Sequence, residues 1–193
     1  MMNLDCIGSI SYWINILRPE TESICTNHTF QKQSSLSQFE IVASNGRQKL
    51  SIPTVKKTRK GAYKEVHIDY STNWQAEQWR SIEIAYLKSP FYLYYGYKIE
   101  AVFKTQHTCV LHLNLALFHE IYTCIKADQK INIDDATSIY YTETAVVVHQ
   151  AYPQVFDDKI SFESNLSILD LLFNLGPETK EYLMRSQQMN PYH

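Results

Sequence analysis

The chain has 193 residues, of which 45% are hydrophobic, 13% aromatic and 20% charged, a composition that excludes disordered, collagen-like and coiled-coil classes. Eighteen Lys and Arg against twenty Asp and Glu leave a net charge of -2, so no whole-domain field draws in nucleic acid or an anionic membrane. Five glycines against fourteen tyrosines leave little room for phosphate cradles, and neither GxGxxG nor GxxxxGK(S/T) occurs.

Ile10 to Leu17 is a bulky apolar run ahead of Arg18-Pro19 and predicts a short helix. Ser23 to Asn27, Phe39 to Ala43 and Lys49 to Val55 place β-branched or apolar residues at alternate positions, as strands do. Asn45-Gly46 between the last two is a hairpin signal, because both residue types tolerate φ > 0. Lys56, Lys57, Arg59 and Lys60 precede Gly61 and are read as a solvated loop, with phosphate holding as the alternative. Glu65 to Tyr70 alternates again and predicts a fourth strand.

The middle of the chain predicts helices. Ser71 to Asn73 can cap one that runs from near Trp74 through Lys88 and stops before Pro90. Phe91 to Lys104 is a second, aromatic-rich helix, expected to break or bend near Gly96. Cys109 to Lys126 carries two apolar stripes, Val110-Leu113-Leu117-Ile121 and Leu111-Leu115-Phe118-Tyr122, so it is buried on much of its circumference. Asp128 to Asp135 is a polar connection, and Thr137 to Thr142 and Ala145 to His149 predict strands. Leu166 to Asn174 is an apolar helix stopped by Gly176-Pro177, and Glu178 to Gln188 is the last helix. The fold class that follows is α/β (mixed α+β), a single domain over residues 1–193 with a mixed sheet covered by helices. Strand order does not follow from the sequence.

Cys6, Cys25, Cys109 and Cys124 form no C-x-x-C pair, and the N-terminus lacks a basic region followed by an apolar one. No apolar run reaches the roughly 18 residues needed to cross a bilayer. The expected location is cytoplasmic, with reduced thiols. Cys109, His112 and His119 share a helical face, but structural zinc needs four close ligands. A buried thiol and ordinary histidines explain them, so neither a metal nor another cofactor is expected.

Polar residues that interrupt apolar patterns are the candidate functional positions. Asn114 lies on the stripe between Val110 and Leu117, either bonded to nearby backbone or facing a ligand. Ser167, Asp170 and Asn174 trace one stripe on an otherwise apolar helix. Asp170 suits a base or hydroxyl anchor and Asn174 a ligand contact. The alternative is a capping box, Ser167-Ile-Leu-Asp170, which leaves Asn174 unexplained. Gln78 and Glu83 mark the Trp74 helix, where a tryptophan face either stacks a sugar or base or packs in the core.

These positions are also where the sequence resembles a known family. Asn45-Gly46 with Leu50-Ser-Ile-Pro53, and Trp74…Trp79-Arg80…Ile82-Glu83…Ala85-Tyr86…Ser89-Pro90-Phe91, are similar to the WbqC-like protein family of bacteria. So are Leu113-Asn114, Tyr152-Pro-Gln154-Val-Phe156 and the block from Asn165 through Asn174-Leu-Gly176-Pro-Glu178. The likeness spans about Asp5 to about Leu183 and is closest to shorter, Bacteroidetes-type members.

The resemblance implies one WbqC-like domain and a transferase-like role in cell-surface polysaccharide (O-antigen type) biosynthesis. The implied partner is a sugar-nucleotide or glycolipid-type small molecule. It places Asp170 as the acid/base, with Asn114, Gln154, Asn165, Ser167 and Asn174 as ligand contacts and Gln78 and Glu83 beside them. Departures stand next to these matches. Gly8-Ser9 replaces a usual Pro-Pro, Ser37-Gln38 a usual Asn-Arg, and Gln78 a usual His, while Ser161 and Ser164 replace a Gly and a Pro. Losing an anion-binding arginine and a proton-transferring histidine supports a second reading, a catalytically degenerate paralogue that acts by binding.

Overall fold

The structure, a computed structural model, describes residues 2–134 and 149–188. In chain order its elements are β1 (Met2–Asn3), α1 (Ile10–Ile16), β2 (Ser23–Cys25), β3 (Gln38–Ala43) and β4 (Gly46–Ser51). There follow α2 (Trp74–Tyr86), α3 (Tyr92–Lys104), α4 (Val110–Cys124), β5 (Asn132–Asp134), α5 (Ile168–Leu175) and α6 (Thr179–Gln188). The mixed α/β class is as the patterning implied. The strands divide between two small sheets and do not merge into one: β1-β2-β5 is parallel throughout, and β3-β4 is an antiparallel hairpin. Parallel neighbours need long crossovers, and α1 supplies the first of them. The predicted strands at residues 137–142 and 145–149 lie outside the described residues except for His149, which is in no strand.

The hairpin turn falls one residue earlier than the Asn-Gly signal suggests. Ala43 pairs with Gly46, so Ser44 and Asn45 form the loop, and Gly46 at φ 109° re-enters the ladder. The return strand ends at Ser51, and Ile52 N still donates to Ser37 O at 2.8 Å ahead of Pro53, which has no N–H to give on its other side. The same gap explains why Glu65 to Tyr70 is not a strand. A 3-10 turn at Tyr63–Glu65 leads into an extended segment held by isolated bridges, Thr54 to Ile68 and His67 to Cys109. The polar connection after α4 contains β5, whose register on β2 pairs Ile133 with Ile24. The basic residues after β4 form a 3-10 turn and loop, where Arg59 donates to Thr54 Oγ1 at 2.8 Å.

α3 runs unbroken through Gly96. A Cβ there would lie 2.9 Å from the Tyr92 ring, so the glycine makes room for the aromatic one turn earlier. The Gly-Pro stop acts as expected: Gly176 adopts φ 54° and ends α5. A Cβ at Gly176 would meet the Phe91 ring at 2.4 Å.

One contiguous core runs from Leu4 to Leu183. Trp13 stacks on Phe118 with centroids 5.1 Å apart, and Phe173 meets the edges of Tyr86 and Tyr92. α5 is the central element, packed against α1, α3, α6 and β3. Every residue from Ile168 to Asn174 is buried, so each polar group on this helix must find its partner inside the protein.

Candidate functional site

Asp170 is fully buried. Tyr152 Oη donates to its Oδ2 at 2.5 Å, and Gln154 Nε2 donates to the same oxygen at 2.8 Å. Gln154 is clamped in turn, donating to Glu163 O at 2.9 Å and accepting from Glu163 N at 3.0 Å. The Tyr86 hydroxyl approaches the carboxyl as well, while Oδ1 has no partner at hydrogen-bond geometry. Burial pushes the Asp170 pKa up, and the bonds from Tyr152, Gln154 and Tyr86 pull the other way without cancelling it.

The Asn174 side chain joins this knot at the Asp170 backbone, donating from Nδ2 to Asp170 O at 2.8 Å. The capping box does not form. Ser167 is the N-cap of α5, but its hydroxyl makes no capping bond and Asp170 turns away to Tyr152. The knot ties the 152–163 loop to the central helix, and Asp170 is not among the residues that line the cleft at the start of that helix.

The remaining expected residues separate. Asn114 is buried, donating to Leu36 O at 2.8 Å and to the Tyr63 hydroxyl, which fastens α4 to the loop before the hairpin. Gln78 donates to Ser51 O at 2.6 Å, and Glu83 takes a 2.6 Å ion pair from Arg80 on the surface of α2. Trp74 and Trp79 are buried against Phe103 and form no stacking face. All four cysteines are buried, and no cluster of three potential metal ligands exists among the described residues.

Asn165 and Ser167 lie elsewhere, on a cleft of about 270 Å³ between the N-terminal segment, the hairpin and the start of α5. Three backbone bonds build its floor: Ser167 N to Glu40 O at 2.8 Å, Ile168 N to Gly8 O at 3.0 Å and Ile10 N to Leu166 O at 2.9 Å. Asn165, at φ 54°, accepts from Ser11 N at 2.9 Å and so helps cap α1. The Ser167 hydroxyl is buried without any partner.

The cleft also holds residues that the sequence did not single out. Asp5 lines it, accepts from Ser35 Oγ at 2.7 Å, and is held up at about 6 by burial, which the Ser35 bond offsets only in part. A carboxyl with a shifted pKa in a concave site is a functional candidate. Across the cleft, Arg47 binds Glu40 at 3.0 Å and Glu163 at 2.6 Å. Lys49 reaches Glu40 at 3.5 Å. Burial raises the pKa of the Cys6 thiol, so this lining cysteine is not a thiolate nucleophile.

Backbone strain gathers here too. Ile7 at φ 63° is a β-branched residue in the left-handed region, and Gly8 at φ 77° and Gln33 at φ 63° line the cleft beside Asn165. Behind Asn165, Ser11 Oγ lies 3.0 Å from His149 Nε2, and burial and Arg47 lower the pKa of that histidine. No acid orients its Nδ1 among the described residues, which therefore complete no triad with the pair. Asp5 had no readable signal, since a lone carboxyl in Met-Asn-Leu-Asp-Cys belongs to no periodic element.

These features define a mixed α/β protein with a strained polar cleft where its N-terminal segment, hairpin and central helix meet. The WbqC-like protein family model matches residues 9–148 and 135–182, and the chain belongs to that family. No curated protein and no solved structure matches it. Among the described residues, no helix is long and apolar enough to cross a membrane.

Proposed function

We propose that this protein has a transferase-like role in bacterial cell-surface polysaccharide (O-antigen type) biosynthesis, that it works in the cytoplasm, and that its small-molecule site is the Asp5 cleft. One observation carries the placement. The cleft brings a carboxyl held at about 6 to the same concavity as the buried, unpartnered Ser167 hydroxyl and the Asn165 side chain. A group titrating near 6 is well matched to general base catalysis at neutral pH. In this reading Asp5 takes the proton of an acceptor hydroxyl as that oxygen bonds to the electrophilic carbon of a sugar donor. The donor's leaving group departs with the bonding electron pair, and Ser167 and Asn165 orient the sugar. Asp170, Gln154 and Asn174 act as positioning residues that hold the block beneath the cleft, and Asn114 braces the loop before the hairpin. Gln78 and Glu83 stand outside the site.

A second reading is favoured by Gln38, which lines the cleft where family members usually carry arginine. Without that guanidinium the site keeps its shape and loses an anion anchor, as expected of a catalytically degenerate paralogue that binds without turning over. Amide chemical-shift mapping with a panel of UDP-sugars tests the site. Shifts centred on Ser9, Ser35 and Asn165 support it, and shifts centred elsewhere, or none, end it. Release of UDP separates the two readings: turnover in the natural sequence supports the transferase, and turnover gained only by Gln38→Arg supports the degenerate paralogue.

A further inference from the structure

The charges around the cleft do not balance, and the imbalance specifies the ligand. Both cations at its rim are already committed. Arg47 is bound by Glu40 at 3.0 Å, by Glu163 at 2.6 Å and by the Ser164 carbonyl, and Lys49 shares Glu40 at 3.5 Å. Two positive groups are thus met by two carboxylates. Asp5 stands apart: Ser35 Oγ donates to it at 2.7 Å, and no ion pair reaches it among the described residues. Among the described residues, the Ser167 hydroxyl, on a wall residue 2% exposed, has no hydrogen-bond partner. A buried hydroxyl without a partner is uncommon, and this one belongs to a residue of the cleft wall.

An incoming phosphate meets an uncompensated carboxylate and finds no uncommitted cation among the described residues, which is like-charge repulsion in a partly dehydrated site. A hydroxyl or ammonium group meets an acceptor in Asp5 and a donor–acceptor in Ser167. The neutral carboxamides of Gln38 and Asn165 on the same wall can hydrogen-bond to hydroxyls without adding charge, Asn165 through Nδ2 because its Oδ1 already accepts from Ser11 N. We infer that the cleft selects an uncharged or cationic polyhydroxylated ligand and rejects a phosphate group, with Asp5 as the discriminating residue. The inference rests on the cleft being the ligand site. It places any phosphate of a sugar donor outside the cleft and only the hydroxylated ring inside.

The test is calorimetric titration of the full chain with glucose, glucosamine and glucose 1-phosphate, alongside Asp5→Asn and Ser167→Ala. Glucose and glucosamine are expected to bind, with glucose 1-phosphate at least ~10-fold weaker than glucose. Asp5→Asn is expected to bring the phosphate ester within about 3-fold of glucose by removing the repulsion, a gain that misfolding cannot produce. Ser167→Ala is expected to weaken the sugars by about 3- to 10-fold. Glucose 1-phosphate binding as tightly as glucose, or unchanged discrimination in Asp5→Asn, overturns the inference and leaves the cleft as the ligand site. No binding of any of the three sugars overturns the cleft reading and the inference together.

Discussion

Two aspartates in this protein share a raised pKa and differ in everything around it. Asp170 sits at the centre of the central helix, fully buried, with two donors on one oxygen. Asp5 sits at the edge of a cleft with a single serine donor and, among the described residues, no ion pair. Burial is the leading cause of the shift at both. The surroundings decide what the shift means. Where the donors come from the protein's own loop, the carboxyl is a fastener. Where the wall leaves a neighbouring hydroxyl without a partner, the carboxyl is the one we propose for a ligand.

Removing the fastener gives the largest expected effect. Asp170→Ala strands the Tyr152 and Gln154 donors and leaves a cavity, costing about 3 kcal/mol or more, read as a lower urea midpoint at unchanged slope. Asp170→Asn keeps an acceptor for Tyr152 and is expected to recover most of that stability while leaving sugar binding intact. Loss of ligand chemistry in a fully stable Asp170→Asn chain would reverse the roles assigned to the two aspartates.

Gly8→Ala comes next. A Cβ there meets the Tyr12 ring at 2.4 Å and Trp13 Nε1 at 2.8 Å, on backbone at φ 77°. The expected cost is about 2–3 kcal/mol from overpacking and strain, with ligand binding at the cleft weakened in the folded fraction.

The pH dependence of stability isolates Asp5. Its carboxyl rises from 3.8 unfolded to about 6 folded, so the folded chain binds more protons between those values. Stability from this group is complete below pH 3.8 and is lost as pH rises through about 6. The loss is on the order of 1–3 kcal/mol. Subtracting the profile of Asp5→Asn from that of the natural sequence should leave this fall alone, and a flat difference between pH 4 and 7 would show that Asp5 is not desolvated.

Arg47→Ala marks the lower end. Its ion pairs are about one-third exposed and screened, so the expected cost is under about 1 kcal/mol. Releasing Glu40 adds negative charge to the cleft and should sharpen its rejection of glucose 1-phosphate.

The polar stripe Ser167-Asp170-Asn174 was legible because a buried helix shows its exceptions against an apolar background. Its division was not. Ser167 faces the cleft, while Asp170 faces Tyr152 and Asn174 bonds back to its own helix. Helical spacing places side chains on a face and says nothing of which loop covers each turn of that face. Asp5, Glu40 and Arg47 were invisible for the same reason, since their meeting depends on the hairpin packing beside a segment more than thirty residues away in the chain.

Local chemistry by itself determined the elements. Apolar periodicity set the helices, Asn45-Gly46 set the hairpin within one residue, Gly176-Pro177 set the end of α5, and the terminal block carried the family. Those outcomes depend on backbone sterics and on patterns within a few residues. The split into two sheets, the locking of Asp170 and the opening of the Asp5 cleft were decided only in three dimensions. Each depends on which distant backbone carbonyl, hydroxyl or charge arrives to satisfy a buried polar group, and on where none arrives.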